Sequence, residues 1–295
     1  MNPIQWYPGH MIKARRMIVE DLKLIDVVIE LVDARAPNAT RNPDFDDLFA
    51  QKVRVIILNK SDLADPAKTR QWSDYYSTKG YKVLEFVSTN NEKKAKAFEL
   101  IEKAAQEKVK KLKEKGISKT VRAMVVGIPN VGKSTFINRI SGRQSTAVAN
   151  RPGVTKGKQW VKISAYLELM DTPGMLWPKF SNKNVAQRLA YIGSIRDAIM
   201  DTQQLSMQLL VVLNKLCPHE LQTRYKQIMP DMSAQELLDA VCRSRGFIIS
   251  GGKLDYERAS ITVLDEFRAG KIAKVTLETP SQVESETCVE GIDDE

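Results

Sequence analysis

Three things are scarce in this chain: cysteine, histidine and long apolar runs. Its 295 residues include only Cys217, Cys242 and Cys288, and two histidines, His10 and His219. The cysteines stand far apart, with neither the paired spacing of a metal site nor a disulfide framework, which points to a reducing compartment, the cytoplasm. Apolar runs stop at stretches such as "LLVVL" at 209–213, far short of the roughly 18 residues that a membrane span needs. The opening "MNPIQWYPGHMIKARR" has no apolar core ahead of its basic residues. It does not read as a secretory signal, and no membrane partner is expected.

Acidic residues are outnumbered by basic ones, except at the end. The net charge is +9, yet residues 278–295 hold seven acidic groups and no Lys or Arg, so residues 1–277 carry +16. A body that basic attracts polyanions, of which nucleic acid is the commonest in a cytoplasm; a merely solvated basic surface is the alternative. The acidic tail 278–295 reads as disordered.

What is present is a regular alternation. Residues 10–24 place Met11, Ala14, Ile18 and Leu22 at helical spacing. Buried strands are expected at 26–34, 53–59, 81–88 and 121–127, with a helix at 66–79 and a long Lys-rich helix at 92–115. "QWVKISAYLELMDT" supplies two more strands joined by a tight turn. Such alternation predicts an α/β fold, a mainly parallel sheet with helices on both faces. After about Trp177 the pattern becomes helical, in "VAQRLAYIGSIRDAIM", "QQLSMQLLVVLNKL", "SAQELLDAVCRSR" and "DYERASITVLDEFRAG". The expected organisation is an α/β domain over 1–178, an all-α domain over 179–277 and the tail.

Four motifs carry chemistry. "GIPNVGKS" (127–134) fits G-x-x-x-x-G-K-[ST] between a strand and a helix, the context in which that pattern binds phosphate. Gly127 and Gly132 let the backbone curl, so that the amides of Asn130, Val131, Gly132, Lys133, Ser134 and Thr135 form an anion nest. Lys133 would bridge the β- and γ-phosphates and the Ser134 hydroxyl would hold Mg²⁺. "DTPG" (171–174) would support that ion through water from Asp171 and sense the γ-phosphate at the Gly174 amide. In "RPGVTKG", Thr155 is the candidate switch hydroxyl of the metal shell. "NKSD" (59–62) fits base recognition: Asp62 can accept from guanine N1–H and its amino group, a pairing that adenine does not offer. Asn59 would bond the other edge, the Lys60 stem would cover the ring, and Ser61 completes the turn. "VSTN" offers Ser88 and Thr89 as the counterpart of a loop that contacts guanine O6.

The base-reading motifs precede the phosphate loop, the reverse of the ordinary order. In that order, "WYPGHM", "DARAP", "NKSD", "GIPNVGKST", "RPGVTK" and "DTPGMLWPKF" together resemble the circularly permuted P-loop GTPases of the YlqF/RbgA family of ribosome biogenesis GTPases. The resemblance spans the α/β domain and the helical one to about residue 275. It implies a GTPase of late large-subunit (50S) assembly that binds GTP and GDP, with a helical domain that touches ribosomal RNA and with no DNA partner. Where many GTPases carry a water-orienting Gln after the DxxG motif, this chain has Met175, whose thioether cannot position water. The resemblance favours His10 for that task, a helix-start or packing role being its alternative. Asn130 resembles the asparagine of K⁺-activated GTPases; a tolerated loop residue is the alternative. Two other functions stay open: a GTPase of tRNA or translation, and a weakly hydrolysing nucleotide-dependent scaffold. Because the chain leaves the α/β domain soon after DTPG, nucleotide state is expected to orient residues 180–275 through Met175–Phe180.

Overall fold

The computed structural model describes residues 9–114, 120–142, 146, 159–177, 182–195 and 200–290, without the side chains of 9–10, 107–109, 111–113 and 286–290. It divides into two compact units. One comprises Met1–Asn182 and Thr276–Glu295, and the other comprises Lys183–Val275.

In the first unit the order is α1 (Gly9–Leu22), β1 (Val27–Asp33), α2 (Asp44–Leu48), β2 (Val53–Asn59), α3 (Pro66–Thr78), β3 (Lys82–Glu85), α4 (Lys94–Glu114), β4 (Val121–Val126), α5 (Lys133–Ser141), β5 (Gln159–Lys162) and β6 (Leu167–Asp171). The strands form one sheet in the order β3-β2-β1-β4-β6-β5. Every pairing is parallel except that of β5 with β6. All seven residues of β1 are buried, the unbroken apolar pattern of a strand covered on both faces. On one face Val28, Met124, Val126 and Met170 pack with Ile18 of α1 and with Phe45 and Phe49 at α2. Beside them Val32, Ile56 and Leu58 meet Trp72 and Tyr76 of α3. Residues of β1 alternate in direction, so Val27, Ile29 and Leu31, each fully buried, point to the other side of the sheet. The expected α/β class with a mainly parallel sheet is the observed one.

Parallel register has a direct consequence for the motifs. The strands ending in Asp33, Asn59, Val126 and Asp171 all finish at the same sheet edge, where open α/β sheets bind ligands. β1 lies between β2 and β4. The first strands of the chain therefore sit directly beside the strand that feeds the phosphate loop, and rotated motif order leaves the edge intact.

Local chemistry sets the helix ends. The Asp65 carboxylate accepts from the Ala67 and Lys68 amides and Pro66 occupies the first turn of α3, a favourable helix start. The strand expected over 81–88 is confined to 82–85, because Val87–Asn90 turns toward the sheet edge. The short helix α2 was not expected; it stands in a stretch whose spacing gives no helical stripe.

The second unit contains α6 (Lys183–Tyr191), α7 (Thr202–Leu216), α8 (Pro218–Arg224), α9 (Ala234–Arg245) and α10 (Tyr256–Arg268). α7 packs against α9 and α10. The helical pattern expected through 185–200 stops at Tyr191, where Gly193 at φ +76° turns the chain, and residues 196–199 lie outside the described ones. Ser233 and Glu236 form a reciprocal capping box at the start of α9.

The chain after Val275 departs from expectation. Residues 278–295 read as a disordered tail, yet Glu278 is fully buried and α11 (Pro280–Glu290) packs against α3 in the first unit. The indole Nε1–H of Trp72 donates to the Glu278 carbonyl at 3.1 Å. Acidic composition misleads here because a single carboxylate is satisfied by backbone donors inside the fold rather than by water.

Candidate functional site

The phosphate loop leaves β4 and enters α5 through a tight curl. Gly132 sits at φ +101°, and a Cβ placed there would lie 2.5 Å from Asn59 Nδ2. Only glycine permits both that conformation and that approach. Lys133 is buried and donates from Nζ to the loop's own carbonyls, Gly127 O at 3.0 Å and Ile128 O at 2.8 Å. Burial brings its pKa down to about 8, opposed by the negative charge of Asp171.

The "NKSD" turn is bound to that loop rather than merely near it. Asn59, 1 % exposed, donates from Nδ2 to Val131 O at 2.8 Å. Its Oδ1 accepts from both the amide and the hydroxyl of Ser88, at 3.2 and 2.8 Å. Lys60, in the left-handed region at φ +58°, donates from Nζ to Asn130 O at 2.7 Å and pairs with Asp33 Oδ2 at 2.9 Å. The Ser61 amide donates to Phe86 O. Asp62 is exposed at the tip of the turn, its carboxylate open to a ligand.

Behind the turn lies a buried ion cluster. Arg35 grips Asp33 with Nε to Oδ1 at 2.9 Å and Nη2 to Oδ2 at 2.7 Å. Both side chains are almost wholly buried. Burial alone would raise the Asp33 carboxyl, but the charges of Arg35 and Lys60 outweigh it and hold the group well below the ordinary carboxylate range. "DARAP" thus supplies the anion that aims Lys60 at the phosphate loop.

At the third motif, the Ser134 hydroxyl donates to Asp171 Oδ2 at 2.7 Å. Asp171 Oδ1 is buried and accepts no hydrogen bond of ordinary geometry among the described residues. Burial raises the Asp171 carboxyl, and the Ser134 hydroxyl and Lys133 work against that rise. A buried hydroxyl–carboxylate pair with spare oxygen capacity is the donor set that a hard divalent cation takes. A Cβ at Gly174 would come within 2.7 Å of Pro129 N and Cα, so DTPG lies against the phosphate loop. Met175 is fully buried in the core beside Val126 and Met170. Its amide donates to Gly127 O at 3.3 Å and its carbonyl accepts from Asn42 Nδ2.

The structure therefore brings together Asn59, Lys60, Ser61, Asp62, Ser88, Asn130, Val131, Gly132, Lys133, Ser134, Asp171 and Gly174. Thr135 follows Ser134 on α5, and exposed Thr89 follows Ser88 on its loop. Thr155 lies outside the described residues. His10 is the second residue of α1, and its side chain is outside the described set. Sequence reasoning missed Arg139. From α5 its guanidinium donates to Ser88 O, Thr89 O and Asn91 Oδ1 at 2.7–2.9 Å, fixing the Ser88–Asn91 loop. Its partners lie 48–51 residues away in the chain, so no local pattern marks it.

Two outcomes follow from this geometry. Gly174→Ala forces the DTPG turn off Pro129, and nucleotide-triphosphate turnover is expected to fall by about 100-fold, an order set by lost positioning, while urea unfolding shows a folded protein. For Asp33 the folded pKa is depressed, so its contribution to stability is complete above the unfolded value near 4 and is lost as pH falls toward the folded value. Urea midpoints of the parent and Asp33→Asn should differ most near neutrality and converge as the pH is taken well below about 4.

Comparison with known proteins agrees with the geometry. The family described as "50S ribosome-binding GTPase" matches residues 122–238. Ribosome biogenesis GTPase A of Bacillus cereus is 43% identical over 280 residues, covering 95% of each chain. Two solved structures of T. maritima YlqF share the fold. The GDP-bound one has a TM-score of 0.67 and 27% identity, covering 90% of this chain and 99% of that one. The GNP-bound one has a TM-score of 0.65 and 28% identity, covering 91% and 98%. With the P-loop, DTPG and NKSD motifs at one sheet edge in permuted order, the chain belongs to the ribosome biogenesis GTPase A family.

Proposed function

We propose that this GTPase acts in the cytoplasm as a late assembly factor of the large (50S) ribosomal subunit, hydrolysing GTP to GDP and phosphate while bound to the particle and its ribosomal RNA. One observation carries the nucleotide reading. The base-reading turn and the phosphate loop, 72 residues apart, are joined by the Asn59–Val131 and Lys60–Asn130 hydrogen bonds. Asp62 accepts from guanine N1–H and the exocyclic amino group, the Lys60 stem covers the ring, and Asn59 has one amide N–H left for the base's other edge. The loop amides of 130–135 and Lys133 take the phosphates. Lys133 must leave the Gly127 and Ile128 carbonyls to do so, a rotation of a flexible side chain.

Ser134 and Asp171, whose side chains meet at 2.7 Å, would hold Mg²⁺ together with Thr155, Asp171 acting through water; the ion would supply positive charge beside the triphosphate. Asn130 is the ligand through which K⁺ would add charge at the same phosphates, which a comparison of turnover in K⁺ and Na⁺ tests. The buried Met175 side chain faces the core, so water alignment falls to a group such as His10, brought in when the particle binds.

The charge map supports a polyanionic partner and shifts where it is met. Residues 1–182 hold 32 Lys and Arg against 19 Asp and Glu, whereas 183–275 hold 13 against 10. Residues 1–182 therefore supply most of the attraction to RNA backbone, offset within the same unit by the seven acidic groups of 278–295. The inward Met175 side chain also favours a second reading, a scaffold that binds nucleotide and hydrolyses it only weakly.

Cosedimentation with isolated ribosomal subunits in GTP, GDP and a non-hydrolysable analogue tests the proposal, with turnover measured alongside. Binding to the large subunit in the triphosphate states, with turnover stimulated at least about tenfold, is expected. His10→Ala should abolish the stimulation and leave GTP affinity intact. Binding without stimulation selects the scaffold, and no preference for the large subunit removes the assembly role.

A further inference from the structure

The chain re-enters the α/β unit at Thr276, immediately after the helical unit ends at Val275. The three residues that follow are all buried, and each makes contact with the part of the molecule that holds the "NKSD" turn. Glu278 Oε1 accepts from the backbone amides of Asn38 and Ala39 at 2.5 and 2.9 Å. The Leu277 amide donates to Arg35 O at 2.7 Å. The Thr276 hydroxyl accepts from the Asp65 amide and donates to Ala34 O, both at 3.2 Å, and Lys68 Nζ donates to the Thr276 carbonyl at 3.2 Å. Trp72 fixes the far end by its bond to Glu278 O.

These contacts reach the guanine corner by two routes. Through Arg35 the strap meets Asp33, then Lys60, then the Asn130 carbonyl of the phosphate loop, each link a hydrogen bond or ion pair of 2.9 Å or less. Through Thr276 it meets Ala34, whose amide donates to Asn59 O at 2.8 Å, and Asp65, which caps the helix that follows "NKSD". A buried carboxylate is costly unless donors satisfy it. Here the donors are main-chain amides of the 36–40 turn, so the same contact that satisfies Glu278 fixes that turn.

We propose that Thr276–Glu278 is a positioning strap for guanine-nucleotide binding, with Glu278 as its anchor, so that the chain leaving the helical unit sets how long nucleotide stays bound. The strap does not touch the base; it acts through Lys60 and Asn59. This rests on the reading of "NKSD" as the guanine site. Because residues 183–275 are tied to the site at DTPG on one side and at the strap on the other, a partner that pulls on the helical unit has two covalent routes to the nucleotide.

Release of a fluorescently labelled GDP, followed by stopped flow on the full chain, tests the proposal. Glu278→Ala should release GDP about tenfold faster, with KM for GTP rising in step and kcat moving less than about twofold. Glu278→Gln keeps an acceptor oxygen and should stay within about threefold of the parent. Thr276→Val, which removes only the hydroxyl, covers the case in which Glu278→Ala does not fold. It should speed release about threefold. Parent-like release from folded Glu278→Ala, or from Thr276→Val where the first does not fold, overturns the strap. Asp62→Asn separates the two readings: if it too leaves GDP binding unchanged, the guanine assignment of the turn fails. If Asp62→Asn loses GDP while the strap variants do not, the strap alone is wrong.

Discussion

The amide of Asn59 is the joint on which the site depends. A permuted chain delivers its base-reading strand early and its phosphate-binding strand late, with a sheet strand and two long helices between them. Parallel register brings the two strand ends to one edge, but an edge is wide compared with a hydrogen bond. Asn59 closes the remaining distance by donating to Val131 and accepting twice from Ser88. It is also why the loop needs glycine at 132, since a Cβ there would collide with the same amide. One buried side chain thus sets the spacing of the NKSD turn, the 127–134 loop and the Ser88 loop. The loop's other face is held from α5 by Arg139.

Charge buried behind this joint has a similar logic. Asp33 is costly to bury alone, and Arg35 and Lys60 more than offset that cost. The arrangement does little for stability that a well-packed apolar trio would not do, since desolvation consumes most of the Coulomb gain. What it adds is direction: Lys60, pinned by Asp33, has its ammonium set on Asn130 O. On the phosphate side Met175 is directed the opposite way. Its side chain fills the core under the sheet while its backbone stays bonded to Gly127 and Asn42. Met175, directly after Gly174, is therefore anchored as a core residue, not presented as a catalytic side chain.

Much of the fold was legible because its signals are local and periodic. The apolar strands at 53–59 and 121–127, the Pro66 helix start and the helix expected over 92–115, observed over Lys94–Glu114, follow from patterning within a dozen residues. So do the P-loop and DTPG, whose spacing encodes a backbone shape. What was not legible is whatever depends on partners far away in the chain. Arg139 looks like any basic residue on a helix until the Ser88 loop is placed beside it. Glu278 looked like the first residue of a solvated acidic tail, because composition averages over a stretch in which Glu278 is buried while Glu284 is exposed. The direction of Met175 was half legible: its chemistry excluded water alignment, but only the packing shows that its side chain is a core element.

The proposed guanine-nucleotide site depends on the two halves of the rotated chain meeting through Asn59. The most direct measurement is the equilibrium affinity for GDP of Asn59→Ala against the parent, by calorimetry on protein shown to be folded. Loss of about 100-fold, of the order expected when a buried polar joint is left unmade, is the predicted result. An affinity equal to that of the parent would contradict the account, because base and phosphate recognition would then not depend on the contact that joins them.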